Sequence, residues 1–375
     1  MALSGGKHMN VNPLLQLKTL GQHVWLDNLS RTLLQEGNLQ RLITEDGIDG
    51  VTSNPAIFQK AIADSLYYRE DLQRLRGSNL DAGARYESLV IPDIQAACDT
   101  LLPAYASSLG ETGYVSLEVS PALAHDMAGT EAAAWRLRQA VGRDNLFIKV
   151  PATPAGVRAF EQLTAAGMRV NVTLIFSLAQ YEAVAQAYLR GALRWLAGGG
   201  NAKQLRSVAS VFLSRVDTLV DKRLDAIATA GTAATEKIQQ LKGKSGVALA
   251  KRCYYRYLEI FHGPEFAMLS QAGVRPQTPL WASTGTKNPA YSDVLYVEPL
   301  IGAETINTLP DATLAAFREH GRAATTLTMG MSDAQAHIKA LAALGIDLMD
   351  VGETLQTEGV RIFVEAYEKL LAAVQ

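Results

Sequence analysis

Short apolar or β-branched runs recur along the chain, each closed by turn residues and most followed by a longer stretch of helical spacing. Eight of these runs predict strands: 23–27, 50–54, 114–119, 146–150, 169–176, 207–213, 278–283 and 294–297. Apolar positions at helical spacing predict helices over 131–141, 154–166, 178–196, 216–230, 248–261 and 311–320. The second of these opens on Pro154 and stops before Gly167, as helix ends do. Two longer helical stretches, 55–75 and 84–102, fill the gap between the second and third strands. Two more, 333–344 and 352–373, follow the last strand and are expected outside the sheet or across its mouth.

Strands alternating with helices imply βαβ units and a parallel sheet. Eight of them favour an α/β fold closed into a (β/α)8 TIM barrel with additional C-terminal helices, over an open doubly wound sheet. The 375 residues hold no convincing linker or internal repeat. A single domain over 10–375 is therefore expected, since barrels of about 250 residues or more fold as one unit. Residues 1–9 contain Ser-Gly-Gly-Lys-His-Met and read as a vector-derived tail, with the natural start near Met9.

Composition narrows the function. Apolar residues at 48% and charged residues at 19% exclude wholesale disorder. A net charge of −2 leaves no basic excess to neutralise a phosphate backbone, so nucleic acid is not an expected partner. No apolar run approaches the ~20 residues of a membrane span. Two cysteines, Cys98 and Cys253, cannot staple a chain this long, which fits a reducing cytoplasm.

Side chains along a barrel strand alternate between lumen and helix layer. On the predicted lumen side stand Ser116 and Glu118, Asn171 and Thr173, Thr52 and Asn54, with Asp27 ending the first strand. A purely structural lumen would be Val, Ile and Leu; this one turns polar towards the strands' C-terminal ends, where barrel enzymes place their chemistry. Lys149 stands out in Leu-Phe-Ile-Lys-Val-Pro. Burial should lower its pKa from about 10.4, and a neutral amine in a dry site attacks carbonyl carbon to form a Schiff base. The plainer alternative is a lysine salt-bridged to a neighbouring carboxylate. Asp27 could equally cap a helix opening at 28–31, and Glu118 could be the structural partner of Lys149. Arg215, together with the polar stretch from Ser283 to Lys287, forms a candidate anion site in the late loops, although Arg215 could instead pair with Asp217 on a helix surface.

Several motifs are set aside. Gly243-Lys244-Ser245 ends like a phosphate-binding loop, but Ile238 stands where that motif needs its first glycine. Gly198-Gly199-Gly200 lacks the dinucleotide spacing. The six histidines form no metal-ligand pair at helical spacing, so no metal and no cofactor are expected. Two glycosylation sequons, at Asn28 and Asn171, read as chance. Trp25, Trp135, Trp195 and Trp281 read as core.

Together these segments resemble the transaldolase family. The resemblance is carried by Val24-Trp25-Leu26-Asp27, Val51-Thr52-Ser53-Asn54-Pro55, residues 115–119, 145–153, 171–176 and 207–215, in the family's order; the length and the stretch 281–289 resemble its longer bacterial branch. It implies a metal-free Schiff-base barrel with sugar-phosphate partners that transfers dihydroxyacetone units in the non-oxidative pentose phosphate pathway. Lys149 matches the Schiff-base lysine. Glu118 and Thr173 match the pair holding a catalytic water. Asp27 matches the base that takes the C4 hydroxyl proton. Asn54 and Ser210 match ligands of the dihydroxyacetone hydroxyls, and Arg215 and Ser283 match phosphate ligands. Shorter members carry an arginine soon after that serine; here Lys287 is the available cation. Phe212 stands where the related fructose-6-phosphate aldolases have a tyrosine, which favours transfer over simple cleavage. Those aldolases and an inactive binding barrel are the alternatives. The oligomeric state is open between monomer and homodimer.

Overall fold

A computed structural model of the protein describes residues 12–231 and 235–375; the expected tail at 1–9 lies outside the described residues. Eight parallel strands close into a barrel in chain order: β1 Gln22–Leu26, β2 Gly50–Thr52, β3 Tyr114–Glu118, β4 Leu146–Pro151, β5 Val170–Ile175, β6 Ser207–Phe212, β7 Thr278–Ala282 and β8 Thr305–Leu309. β8 returns to β1 from Gln22↔Thr305 to Leu26↔Leu309, so the sheet has no free edge. This is the (β/α)8 architecture expected from the strand–helix alternation.

The eighth strand is a correction. The expected run at 294–297 forms turns, and Val294, Tyr296 and Val297 are apolar because the β7–β8 connection is buried there. The strand that closes the barrel is Thr-Ile-Asn-Thr-Leu, whose polar residues dilute its signal. A short apolar run does not by itself distinguish a strand from any other buried segment. The stretch 55–75 is likewise divided into helices Pro55–Asp64 and Arg69–Arg76 by a 3-10 turn at Leu66–Tyr68, where Ser65 ends one and caps the next. Among the tryptophans, Trp25 and Trp281 are buried, Trp195 is half-buried, and Trp135 is exposed rather than core.

Aromatic rings fill the lower lumen: the Trp25 and Phe147 centroids lie 6.1 Å apart, and those of Tyr114 and Phe147 4.3 Å. Gly50 faces the indole of Trp25 so closely that a Cβ there would lie 2.4 Å from the ring. Gly50→Ala is therefore expected to overpack the lumen and cost about 1–3 kcal/mol of stability. A thermal melt indistinguishable from that of the unchanged protein would refute this.

Of the two C-terminal helices, Met331–Ala343 packs outside the barrel against helix Ser245–Phe261. The 26-residue helix Leu348–Ala373 crosses the C-terminal mouth instead. It touches helix Pro55–Asp64 on one side, helix Ser214–Thr229 on the other, and β5 between them. No helix among the described residues is long and apolar enough to cross a membrane.

Candidate active site

The ladder register brings the central groups together. Glu118 pairs with Lys149 and Lys149 with Asn171, so residues from β3, β4 and β5 share one level of the lumen. Lys149 is only 4% exposed, which removes the solvent that would otherwise hold an ammonium. Its Nζ lies 3.6 Å from Glu118 Oε2 and donates to the Ser53 carbonyl at 3.2 Å. Burial pushes the Glu118 carboxyl up to about 7, against the lowering pull of the Lys149 charge. Burial also raises Asp27, with Lys149 again the main opposing influence and the Thr52 hydroxyl the next. Thr52 donates to Asp27 at 2.7 Å and lies 2.7 Å from the Thr308 hydroxyl, which anchors the carboxylate to β2 and β8. The cap of the following helix, Arg31–Gln35, is Ser30 and not Asp27. Glu118 does partner Lys149, as the plainer reading had it, but the amine has two raised carboxyls in electrostatic reach.

Thr173 is fully buried on the same face as Lys149, one alternation beyond Asn171. Neither Thr173 Oγ1 nor Glu118 Oε2 has a hydrogen-bond partner among the described residues. Buried polar atoms of this kind are costly unless a small molecule or substrate completes them. The β5–β6 register slips between Val172 and Ile175, where Leu174 adopts φ 60°. Non-glycine residues held in this left-handed region are rare and cluster at functional sites.

Asn171, which the sequence places only as a lumen-side neighbour of Thr173, is the centre of a polar belt. Its Nδ2 donates to Ser116 Oγ at 3.1 Å, and its Oδ1 accepts from Ser210 Oγ at 2.7 Å. This belt crosses from β3 through β5 to β6 beside Lys149. The polar alternation of β5 was its signal. Asn54 stands at the start of helix Pro55–Asp64, where its Oδ1 accepts from Ile57 N at 3.0 Å, so that oxygen already caps the helix.

The anion candidates come from the start of one helix and from the loop after β7. Arg215 lies half-buried at the start of helix Ser214–Thr229, its guanidinium 5.8 Å from the Phe212 ring and 5.9 Å from that of Phe363 on the crossing helix. Burial lowers its proton affinity, with Glu358 opposing. Asp217, its alternative partner, is engaged elsewhere: it accepts from Ser245 N at 2.7 Å, Gly246 N at 3.1 Å and Tyr296 Oη at 2.8 Å. Ser283, at φ 54°, lies 2.8 Å from Ser214 between hydroxyl oxygens. Lys287 is exposed, on the rim of a cavity of about 330 Å³ shared with Ser214 and Asn288. Its charge reaches Asp27 and lowers it slightly. Tyr291 donates to Asp221 at 2.7 Å, so with Tyr296 the β7–β8 connection is tied twice to the helix that carries Arg215.

The family model described as transaldolase/fructose-6-phosphate aldolase matches residues 24–374. A transaldolase of Thiobacillus denitrificans is 54% identical over 355 residues, 95% of this chain and 97% of its own length. A transaldolase of Neisseria gonorrhoeae is 48% identical, covering 96% of this chain and 98% of its own. A protein named transaldolase 2 from a Nostoc species is 42% identical, covering 98% of each. A match of this extent, over a closed barrel with a lysine buried between carboxylates, places the chain in the transaldolase/fructose-6-phosphate aldolase family.

Proposed function

We propose that the protein is a transaldolase acting through a Schiff base on Lys149, a transferase of the non-oxidative pentose phosphate pathway working in the cytoplasm. The observation that carries this reading is the amine of Lys149, buried and 3.6 Å from a carboxyl whose pKa is pushed up to about 7. Having passed its proton to Glu118, the Lys149 amine attacks C2 of a ketose phosphate such as sedoheptulose 7-phosphate or fructose 6-phosphate. Glu118 and Thr173, through a water between them, move the protons that turn the carbinolamine into an iminium ion with loss of water. Asp27 then takes the C4 hydroxyl proton. The C3–C4 bond breaks, its electron pair passes into the iminium as an enamine, and an aldose phosphate departs. The enamine carbon adds to the aldehyde of a second aldose phosphate, and hydrolysis frees the new ketose and the amine. Asn54 and Ser210 hold the hydroxyls of the three-carbon unit; Arg215, Ser283 and Lys287 hold the phosphate. Phe212 offers no proton to the enamine, which supports transfer over release of free dihydroxyacetone.

Borohydride reduction in the presence of fructose 6-phosphate, followed by peptide mass mapping, tests the nucleophile. The expected result is a dihydroxyacetone adduct on Lys149; modification confined to other lysines would overturn the reading. Cleavage of fructose 6-phosphate that proceeds equally well without an acceptor aldose would instead point to an aldolase.

A pH prediction follows from Glu118. Acting as a base, it must be ionised, and its raised pKa places that ionisation near neutrality. The rate of imine formation is therefore expected to rise with pH through about 7, and Glu118→Gln to flatten that limb. A profile unchanged by the substitution would remove Glu118 from proton transfer.

A further inference from the structure

We propose that Gln356, on the helix crossing the barrel mouth, is a positioning residue for Thr173 and so for proton transfer at Lys149. This rests on the Schiff-base reading above and deepens it. Gln356 Nε2 donates to the Ala152 carbonyl at 2.9 Å and to the Leu174 carbonyl at 3.2 Å. Both partners are acceptors, which fixes the amide's orientation: each hydrogen of one NH2 group serves a different strand end. Ala152 directly follows β4, three residues after Lys149; Leu174 directly follows Thr173 in β5. The circuit is completed by Ala152 N, which donates to the Thr173 carbonyl at 2.7 Å.

The location explains why such a brace is needed. The β5–β6 ladder is interrupted at Leu174, the residue at φ 60°. Pairing to β6 does not hold the backbone there, and Thr173 Oγ1 has no hydrogen bond of its own among the described residues. Its aim is set by the backbone on either side, and Gln356 ties that backbone to the strand of Lys149. The same face of the helix carries Gly352, where a Cβ would lie 2.6 Å from Ser177 Cβ, so the helix can settle close enough for the amide to reach. Gln180 adds a second tie, donating to the Gly352 carbonyl at 3.2 Å and accepting from Phe176 N at 2.8 Å. An apolar residue at 356 would leave two carbonyls unsatisfied; glutamate would set oxygens against oxygens.

The test uses Gln356→Met, which keeps the chain length, and Gln356→Glu as a second variant should the first fail to fold. Each is made in the unchanged protein and in a Thr173→Val background. The rate of imine formation is read by quenching with borohydride after mixing with fructose 6-phosphate. In the unchanged background, about a tenfold loss of this rate is expected, with kcat/KM for the acceptor erythrose 4-phosphate within about twofold. In the Thr173→Val background, less than about a twofold further loss is expected, because the group being positioned is already gone. Equal fold-losses in both backgrounds, or no loss at all, would overturn the positioning role. If the unchanged protein forms no adduct on Lys149, the Schiff-base reading itself has failed, a result distinguishable from the other two.

Discussion

Lys149→Ala is expected to lower turnover by about 10⁴-fold or more while the protein stays folded. The loss follows from the chemistry: without the amine no iminium forms, and the C3–C4 bond has no sink for its electrons. Survival of the fold follows from the electrostatics. Removing a buried ammonium usually strands its partner's charge. Here burial already holds Glu118 and Asp27 above their ordinary range, and Lys149 is the chief influence pulling both down. Without it, both carboxyls rise further and take up protons, so no bare charge is left inside the barrel. The pH dependence of stability has a definite sign. A carboxyl raised in the folded state binds its proton more tightly there than in the unfolded chain. Its contribution is complete below the unfolded value of about 4.5 and is lost as pH rises through the folded one. In Lys149→Ala that window extends to higher pH. Steady-state assays together with thermal melts at several pH values check both halves. Appreciable residual activity would reassign the nucleophile.

Asp27→Asn is expected to separate capture of the ketose from its cleavage. Asparagine keeps an oxygen for the 2.7 Å bond from Thr52 but cannot take a proton from the C4 hydroxyl. Turnover should fall by about 10²–10⁴-fold. Borohydride should nevertheless trap a covalent adduct on Lys149, now carrying the whole ketose phosphate. A variant that still accumulates the three-carbon adduct at the normal rate would show that another group removes the proton.

The barrel was largely legible because its strands are buried on both faces and its helices are not. The two periods alternate cleanly from β1 to β7. β8 escaped because closing the barrel needs only backbone pairing. Asn307 spends its side chain on the Tyr296 carbonyl and Thr308 on Thr52, so the strand lacks the apolar signature that the nearby buried turn displays. The level of Lys149, Glu118 and Thr173 could be read because alternation within a strand is local information. What joins strands could not be read that way. Ser116, Asn171 and Ser210 form one hydrogen-bonded belt, yet they lie up to 94 residues apart (116 to 210) and each is an ordinary strand residue. The same holds for Gln356, which reaches back to Ala152 across 204 residues. Whether the last helix lies outside the barrel or over its mouth rests on long-range contacts, such as those of Gly352 and Gln356, whose meaning depends on what they pack against.

The pair of tyrosine hydroxyls that anchor the β7–β8 connection has a kinetic corollary. Because Tyr291 and Tyr296 hold that segment against Asp221 and Asp217 by bonds internal to the protein, a substrate meets a finished receptor and not a wandering flap. Association should then resemble a key entering a fixed lock, governed by encounter frequency and ionic strength, with little loop freezing left to register in calorimetry.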